Sequence, residues 1–301
     1  MSEQNQRVKR AISGWIVLDK PFDMSSTEAV GKVRWLFSAK KAGHAGTLDP
    51  LATGILPIAL GEATKTVPAV QDGAKVYRFT VNWGAATTTD DAEGEIAATS
   101  GKRPTEAEVR HLLPAFTGEI MQVPPKFSAI KVDGERAYDL ARAGAHVELA
   151  ARTITVASLI LLAHRGEDSD FEVTCQKGTY IRSLARDMAE ALGTRGHVAR
   201  LHRAAVGGFS DANAVSMAVL EAADLAGRDA LLLPVSAGLA GIPEIRLSPA
   251  EAASIRFGNA VLLAGSNAPV ALPEAWASCK GEAIAIGGVE GGQFRPRRVF
   301  V

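Results

Sequence analysis

Gly43-His44-Ala45-Gly46-Thr47-Leu48-Asp49-Pro50-Leu51-Ala52-Thr53-Gly54 places one carboxylate, Asp49, in a segment with three glycines and no other acid. Lys40 and Lys41 precede it. Glycine supplies φ > 0 where a turn needs it and lets backbone approach a ligand closely. Pro50 fixes its own φ and drives Asp49 toward an extended conformation. The loop is therefore built to hold a single acid at a defined angle beside something bulky. An aspartate before proline is, taken alone, a common turn residue. The glycines and the basic neighbours lift this one above that reading.

On the N-terminal side, residues 14–19 (GWIVLD) read as a strand stopped by Lys20-Pro21. Ser25-x-x-Glu28 is a capping box, and Val30, Val33 and Phe37 follow at helical spacing. On the C-terminal side, residues 76–81 (VYRFTV) alternate as a strand does, with Tyr77 and Phe79 two apart. Strand context alone makes Tyr77 a core or edge tyrosine. Residues 87–94 (TTTDDAEG) read as a solvated acidic turn. Pro104-Thr105-x-x-Glu108 opens a second capped helix, and residues 123–130 are extended because Pro124 and Pro125 exclude helix. Residues 134–144, bounded by glycines and carrying Arg136, Tyr138 and Arg142, predict a short helix.

Residues 154–162 predict a buried strand, and residues 171–175 alternate before the chain turns at Gly178 into a helix. Ile181, Leu184, Met188 and Leu192 form that helix's apolar stripe, with Gly193 as its C-cap. Arg182 and Arg186, four apart, share a face away from the stripe. That face admits three roles: a solvated surface, an RNA phosphate contact, or a partner for a buried carboxylate. Past Gly241 the composition shifts. Ser248-Pro249-Ala250-Glu251 starts a helix that Gly258 ends, and short strands between glycine-rich turns follow. A boundary is expected near 238–243, followed by a small β-rich module.

The 301 residues are 47% hydrophobic and 22% charged, which suits a globular protein of about two domains. A formal net charge of +0 gives no whole-molecule attraction to a polyanion, so any nucleic-acid contact needs a local basic patch. Cys175 and Cys279 stand far apart with no Cys-x-x-Cys, so neither a zinc site nor a disulfide framework is expected. The polar, basic N-terminus is not a secretory signal, and no apolar run is long enough to span a bilayer. A reduced, cytoplasmic protein is the expectation. Residues 61–66 (GEATKT) miss the spacing of a phosphate-binding P-loop. A carboxylate can act as a nucleophile in glycosyl chemistry, but a retaining glycosidase needs a second one, which only the fold could bring from Asp90 or Asp91. Basic residues gather as Lys32/Arg34/Lys40/Lys41, Lys126/Lys131/Arg136/Arg142, Arg195/Arg200/His202/Arg203 and Arg295/Arg297/Arg298, interleaved with Trp35, Phe127, Tyr138 and Phe300. This pattern suits RNA.

Several stretches together resemble the bacterial tRNA pseudouridine-55 synthases, the TruB family. They are residues 14–21, the Asp49 loop, Pro124-Pro125-x-x-Ser128-Ala129 through Arg136-Ala137-Tyr138, Cys175-x-x-Gly178-Thr179-Tyr180-Ile181-Arg182-Ser183-Leu184, and Leu201-x-Arg203. The C-terminal module resembles a PUA domain, a small pseudo-barrel carried by many RNA-modifying enzymes. The resemblance implies an α+β fold: a large mixed, mostly antiparallel sheet flanked by helices, plus a small C-terminal β pseudo-barrel. The catalytic domain would span 1–240, with an RNA-clamping insertion at about 124–152, and the PUA-like domain 243–301.

The implied reaction isomerises uridine to pseudouridine in the T arm of tRNA, breaking N1–C1′ and rejoining the base through C5. It uses no cofactor and no metal. Asp49 would be the nucleophile at C1′ or the base that starts a glycal route. Tyr77 would stack on the base and help remove the C5 proton, and Arg182 would pair with the catalytic aspartate. His44, Tyr180 and Leu201 would contact the flipped nucleotide or its surroundings. Lys20, with Pro21, would support the loop and count with the substrate-binding residues. Gly46 would leave room for the nucleotide, and Lys126 and Arg142 would contact phosphates. A monomer acting on the T stem-loop is implied. An RNA-binding, tRNA-folding chaperone on the same scaffold is the alternative, and intact Asp49, Tyr77 and Arg182 argue against it as the sole role. Two departures stand out. Leu201-His202-Arg203-Ala204 replaces the family's L-x-R-T, and the C-terminal module is short and glycine-rich, implying a weaker grip on RNA.

Overall fold

The alternating and apolar runs pair into one large sheet. The computed structural model describes residues 8–128, 131–132, 135–136, 149–265 and 267–301. Within them, β1 (Gly14–Lys20), β2 (Ala42–His44), β3 (Thr53–Leu60), β4 (Lys75–Trp83), β5 (Gly118–Gln122), β6 (Arg152–His164), β7 (Asp168–Cys175), β8 (Gly196–Val206), β9 (Phe209–Ser210) and β10 (Val215–Ser216) form a ten-stranded sheet. Its path runs β10-β1-β3-β8-β4-β7-β6-β5. Only β10–β1 and β8–β3 pair in parallel, so the expected mixed, mostly antiparallel sheet is present.

The helices α1 (Ser26–Leu36) and α2 (Ile181–Ala191) flank it. Ser25 accepts from the Glu28 amide while Glu28 reaches back to the Ser25 backbone, satisfying two orphan donors at the start of α1. In α2 the stripe residues Ile181, Leu184 and Met188 are buried against the sheet, and Gly193 adopts a φ of 69° just past the C-cap. Phe79 and Phe171 pair across β4 and β7 with ring centroids 5.2 Å apart, and Trp83 meets Phe171 edge-on. Among the described residues, no helix is long and apolar enough to cross a membrane.

The C-terminal module has its own five-stranded sheet of β11 (Glu244–Arg246), β12 (Val261–Leu262), β13 (Leu272–Cys279), β14 (Glu282–Glu290) and β15 (Gln293–Val299), with α3 (Pro249–Arg256) against it. Its core is Leu247, Ala252, Ile255, Ile284, Val289 and Phe294. A second cluster, Leu239, Trp276, Ile286 and Phe300 with Ala69 and Val235, joins it to the main body.

Two expectations about local structure change. Glu135–Arg136, expected inside a helix over 134–144, instead pairs as a two-residue strand with Lys131–Val132. The remainder of that expected helix, with Tyr138 and Arg142, lies outside the described residues. Asp90 and Asp91 do not belong to a solvated turn. Only 16% and 10% of their side chains are exposed, and each faces an arginine of α2.

Candidate active site

The Asp49 loop crosses from β2 to β3 without a strand neighbour of its own, so its backbone polar groups need partners from elsewhere. Side chains supply them. Ser26 Oγ at the start of α1 accepts from the Leu48 amide (2.8 Å) and donates to the Leu48 carbonyl (2.9 Å). Lys20 Nζ donates to the carbonyls of Pro21, Met24 and Pro50 at 2.9, 2.7 and 3.1 Å. Arg203 donates to the carbonyls of Ile55 (2.7 Å) and Gly46 (2.9 Å). Arg203 can reach them because, on β8, it pairs opposite Tyr77 of β4 and so shares that residue's cavity-facing side of the sheet.

Two of the loop's three glycines are backbone requirements. Gly46 has a φ of 105° and Gly54 a φ of 98°, and a Cβ on Gly54 would come within 2.4 Å of the Arg203 carbonyl. A Cβ on Gly46 would also meet Arg203 Nη1 at 3.4 Å. Gly46 lines the cavity, and its positive φ makes it a requirement of the turn as well.

So held, Asp49 faces α2. Arg182 Nε stands 3.0 Å from Asp49 Oδ2, and the same guanidinium donates to the carbonyls of Thr89 (3.1 Å) and Phe127 (2.9 Å), with Asp91 Oδ2 at 3.6 Å. Of the three roles open to Arg182, the structure shows pairing with a carboxylate, the buried member of the pair being the arginine. The Asp49 side chain is 39% exposed, and that opening faces a cavity of about 960 Å³. Tyr77, His44, Gly46, Tyr180, Arg182, Leu201 and Arg203 share the lining. Hydrophobic walls such as Leu48 and Ile181 suit an unstacked base.

The surrounding protein pushes the Asp49 pKa up, opposed by Arg182 and raised further by Asp91. Burial also raises Tyr77, which therefore keeps its phenolic proton at neutral pH even with Arg203 beside it. Burial, then the positive charge of Arg203, lowers His44, so that imidazole is neutral. Burial takes Lys20 down to about 8, against the attraction of Asp49.

Most of the expected residues converge. Asp49, Tyr77, Arg182, His44, Tyr180 and Leu201 line one cavity. Lys20 is fully buried and spends its donors on three carbonyls, so it supports the loop and is corrected from substrate contact to positioning. Arg203, expected within a basic surface cluster, is buried inside the loop's framework. Lys126 is exposed beside Phe127, which lines the cavity, and Arg142 lies outside the described residues. Asp91, named from the sequence only as a carboxylate that the fold could bring near Asp49, does line the cavity and faces Arg182.

Comparison with known proteins fits this arrangement. Residues 34–181 match the N-terminal domain of the TruB family of pseudouridylate synthases, and residues 182–240 match the C-terminal domain of tRNA pseudouridylate synthase B. The chain belongs to the TruB family. It is an isomerase of the pseudouridine synthase class. It is similar to the tRNA pseudouridine synthase B of Chelativorans sp. (55% identical, covering 100% of this chain and 99% of the relative) and to that of Mesorhizobium japonicum (52%, with the same coverage). A chain in the crystal structure of the archaeal box H/ACA sRNP Nop10-Cbf5 complex superposes with a TM-score of 0.73 at 25% identity, covering 96% of this chain and 86% of that one. The TruB family match spans the Asp49 loop, Tyr77 and Asp91 in its first segment and begins its second at Arg182.

Proposed function

We propose that this TruB family member converts uridine-55 in the T arm of tRNA to pseudouridine, with Asp49 as the group that breaks the N1–C1′ bond. The observation that carries this reading is the Asp49–Arg182 pair at 3.0 Å on the floor of a cavity of about 960 Å³. The relatives named tRNA pseudouridine synthase B support the choice of RNA.

The target uridine is stacked inside the folded arm and must be extruded, at a cost of a few kcal/mol that pocket contacts offset. Tyr77 offers its ring to the extruded base and, as a neutral phenol, a hydroxyl donor. Arg182 holds Asp49 charged and oriented while the glycosidic carbon is attacked or its neighbouring proton is taken. Leu201 and Tyr180 complete the wall around the nucleotide. Residues of the 124–152 stretch, Lys126 among them, meet the phosphates of the stem and position it without reading sequence. The C-terminal five-stranded module adds a PUA-like RNA contact.

Tritium release from a T-arm hairpin labelled at C5 of uridine tests the reaction. The expected result is release of label at the position of uridine-55, with a mass-neutral product. Release of free base, or no release, would reject it.

A further inference from the structure

Arg182 and Arg186 stand one turn apart on α2, and each spans the same two segments. Arg182 reaches the Thr89 carbonyl on one side and the Phe127 carbonyl on the other, with Nε on Asp49. Arg186 donates Nη1 to Asp90 Oδ2 at 2.9 Å and Nη2 to the Val123 carbonyl at 2.8 Å, while Asp187 accepts from Nε at 2.9 Å. Ser183 Oγ donates to the same Val123 carbonyl at 2.8 Å, and the Gln122 amide exchanges two hydrogen bonds with the Tyr180 backbone. The side chains of Arg186 and Asp90 are only 23% and 16% exposed, so this is no surface ion pair. Neither residue lines the cavity.

Asp90 sits at a φ of 62°, a region that residues other than glycine seldom adopt. Its backbone is tied down by the Val198 amide, which donates to the Asp90 carbonyl at 3.0 Å. Nothing in the chemistry of the cavity calls on Asp90 or Arg186, yet the chain keeps a left-handed aspartate and a largely buried pair at this place.

We propose that Asp90–Arg186 is a positioning pair: it fixes the 87–91 loop against the 122–128 segment and thereby fixes the direction in which Arg182 presents Nε to Asp49. This rests on the reaction proposed above. The guanidinium is planar and rigid. Two of its donor positions are set by carbonyls from those two segments, so a shift of either carbonyl rotates the third donor off the carboxylate. Lysine at 186 has no fork with which to hold both Asp90 and Val123.

The test uses the full-length protein with Arg186→Lys, Asp90→Asn and both together, on a T-arm RNA hairpin. The readouts are the single-turnover rate, RNA affinity and the rate as a function of pH. Expected is a rate lower by roughly 10- to 100-fold, the scale of loss when a reacting group is displaced by about 1 Å. RNA affinity should be unchanged, and the double variant should be no slower than the slower single. The acid side of the pH profile should move to higher pH. The titratable and charged groups facing Asp49 are Arg182 from α2, Asp91 from the 87–91 loop, Lys20 from β1 and Tyr77 from β4, and of these Arg182 is the one loosened.

A full rate with an unmoved profile overturns the proposal, as does weakened RNA binding with an unchanged rate. Asp90→Asn is close to isosteric and carries the test where Arg186→Lys fails to fold. Absence of product from the unsubstituted protein overturns the functional reading and the positioning role with it. An active parent with unaltered variants overturns the positioning role alone.

Discussion

The framework behind the Asp49 loop and the core of the C-terminal sheet are both buried, and they are filled with opposite chemistry. Lys20, Asp91, Arg182 and Arg203 are buried around the Asp49 loop. The core of the C-terminal module is Ala275, Ala277, Ile284, Val289, Phe294 and their neighbours, with Ser278 as its buried polar residue among those described. Burial of apolar surface contributes about 25 cal/mol per Å² to folding. A buried charge contributes little net stability, because desolvation offsets what its partners return, but losing one partner is costly. The two interiors therefore differ in purpose. One is packed for stability, and the other holds a carboxylate at a fixed angle at some expense to stability.

The largest expected effect separates these purposes at one atom. Asp49→Asn should abolish product formation in single-turnover assays on a T-arm hairpin while leaving the melting temperature unchanged or higher. The raised pKa of Asp49 means that the fold disfavours its ionised form, and the asparagine oxygen can still accept from Arg182 Nε, which offsets the loss of that arginine's counter-charge. Near-normal turnover would break the contrast. Arg203→Met should lower both quantities, because it orphans the carbonyls of Ile55 and Gly46 in a buried loop. A loss of roughly 2–5 kcal/mol in stability, measured by denaturant melts, should accompany a slower reaction.

Phe294→Ala should do the reverse. Phe294 is fully buried in the C-terminal core, so its truncation should cost about 3–5 kcal/mol of local stability. The single-turnover rate at saturating hairpin should stay within about twofold, the coupling expected between distant sites. A large loss of rate would show that the two interiors are mechanically linked. The smallest effect is in the pH profile. The rate should rise with pH through the pKa of Asp49, at a midpoint above the ordinary aspartate value of 3.8. Tyr77, raised by burial, should add no alkaline limb in the neutral range. A midpoint at or below 3.8 would mean that Arg182 outweighs desolvation at the site.

Much of this was legible in the chain. Ser25 and Glu28, Thr105 and Glu108, and Ser248 and Glu251 all form the capping boxes that their spacing announces, because a cap is satisfied within three residues. The alternation at residues 171–175 and the stripe from Ile181 to Leu192 also appear as read, since period follows from local geometry. Asp90 and Asp91 were misread for the complementary reason. Acidic residues among threonines and glycine have the composition of a turn, and no local signal says that Arg182 and Arg186, about 90 residues later, will pack against them. Arg203 was misplaced likewise. A basic residue in a basic cluster reads as surface, and only the pairing of β8 with β4, which sets Arg203 opposite Tyr77, shows that it faces inward.

The sequence by itself determined most of the elements, the one acid set among glycines, and, through motif resemblance, the reaction class. It could do so because caps, periodicity and backbone freedom are properties of neighbours in the chain. The tertiary structure alone decided which charges are buried and what they hold. Long-range pairing brings α2, the 87–91 loop and β8 around Asp49, and desolvation at that meeting point, which no local pattern encodes, sets the electrostatics of the acid.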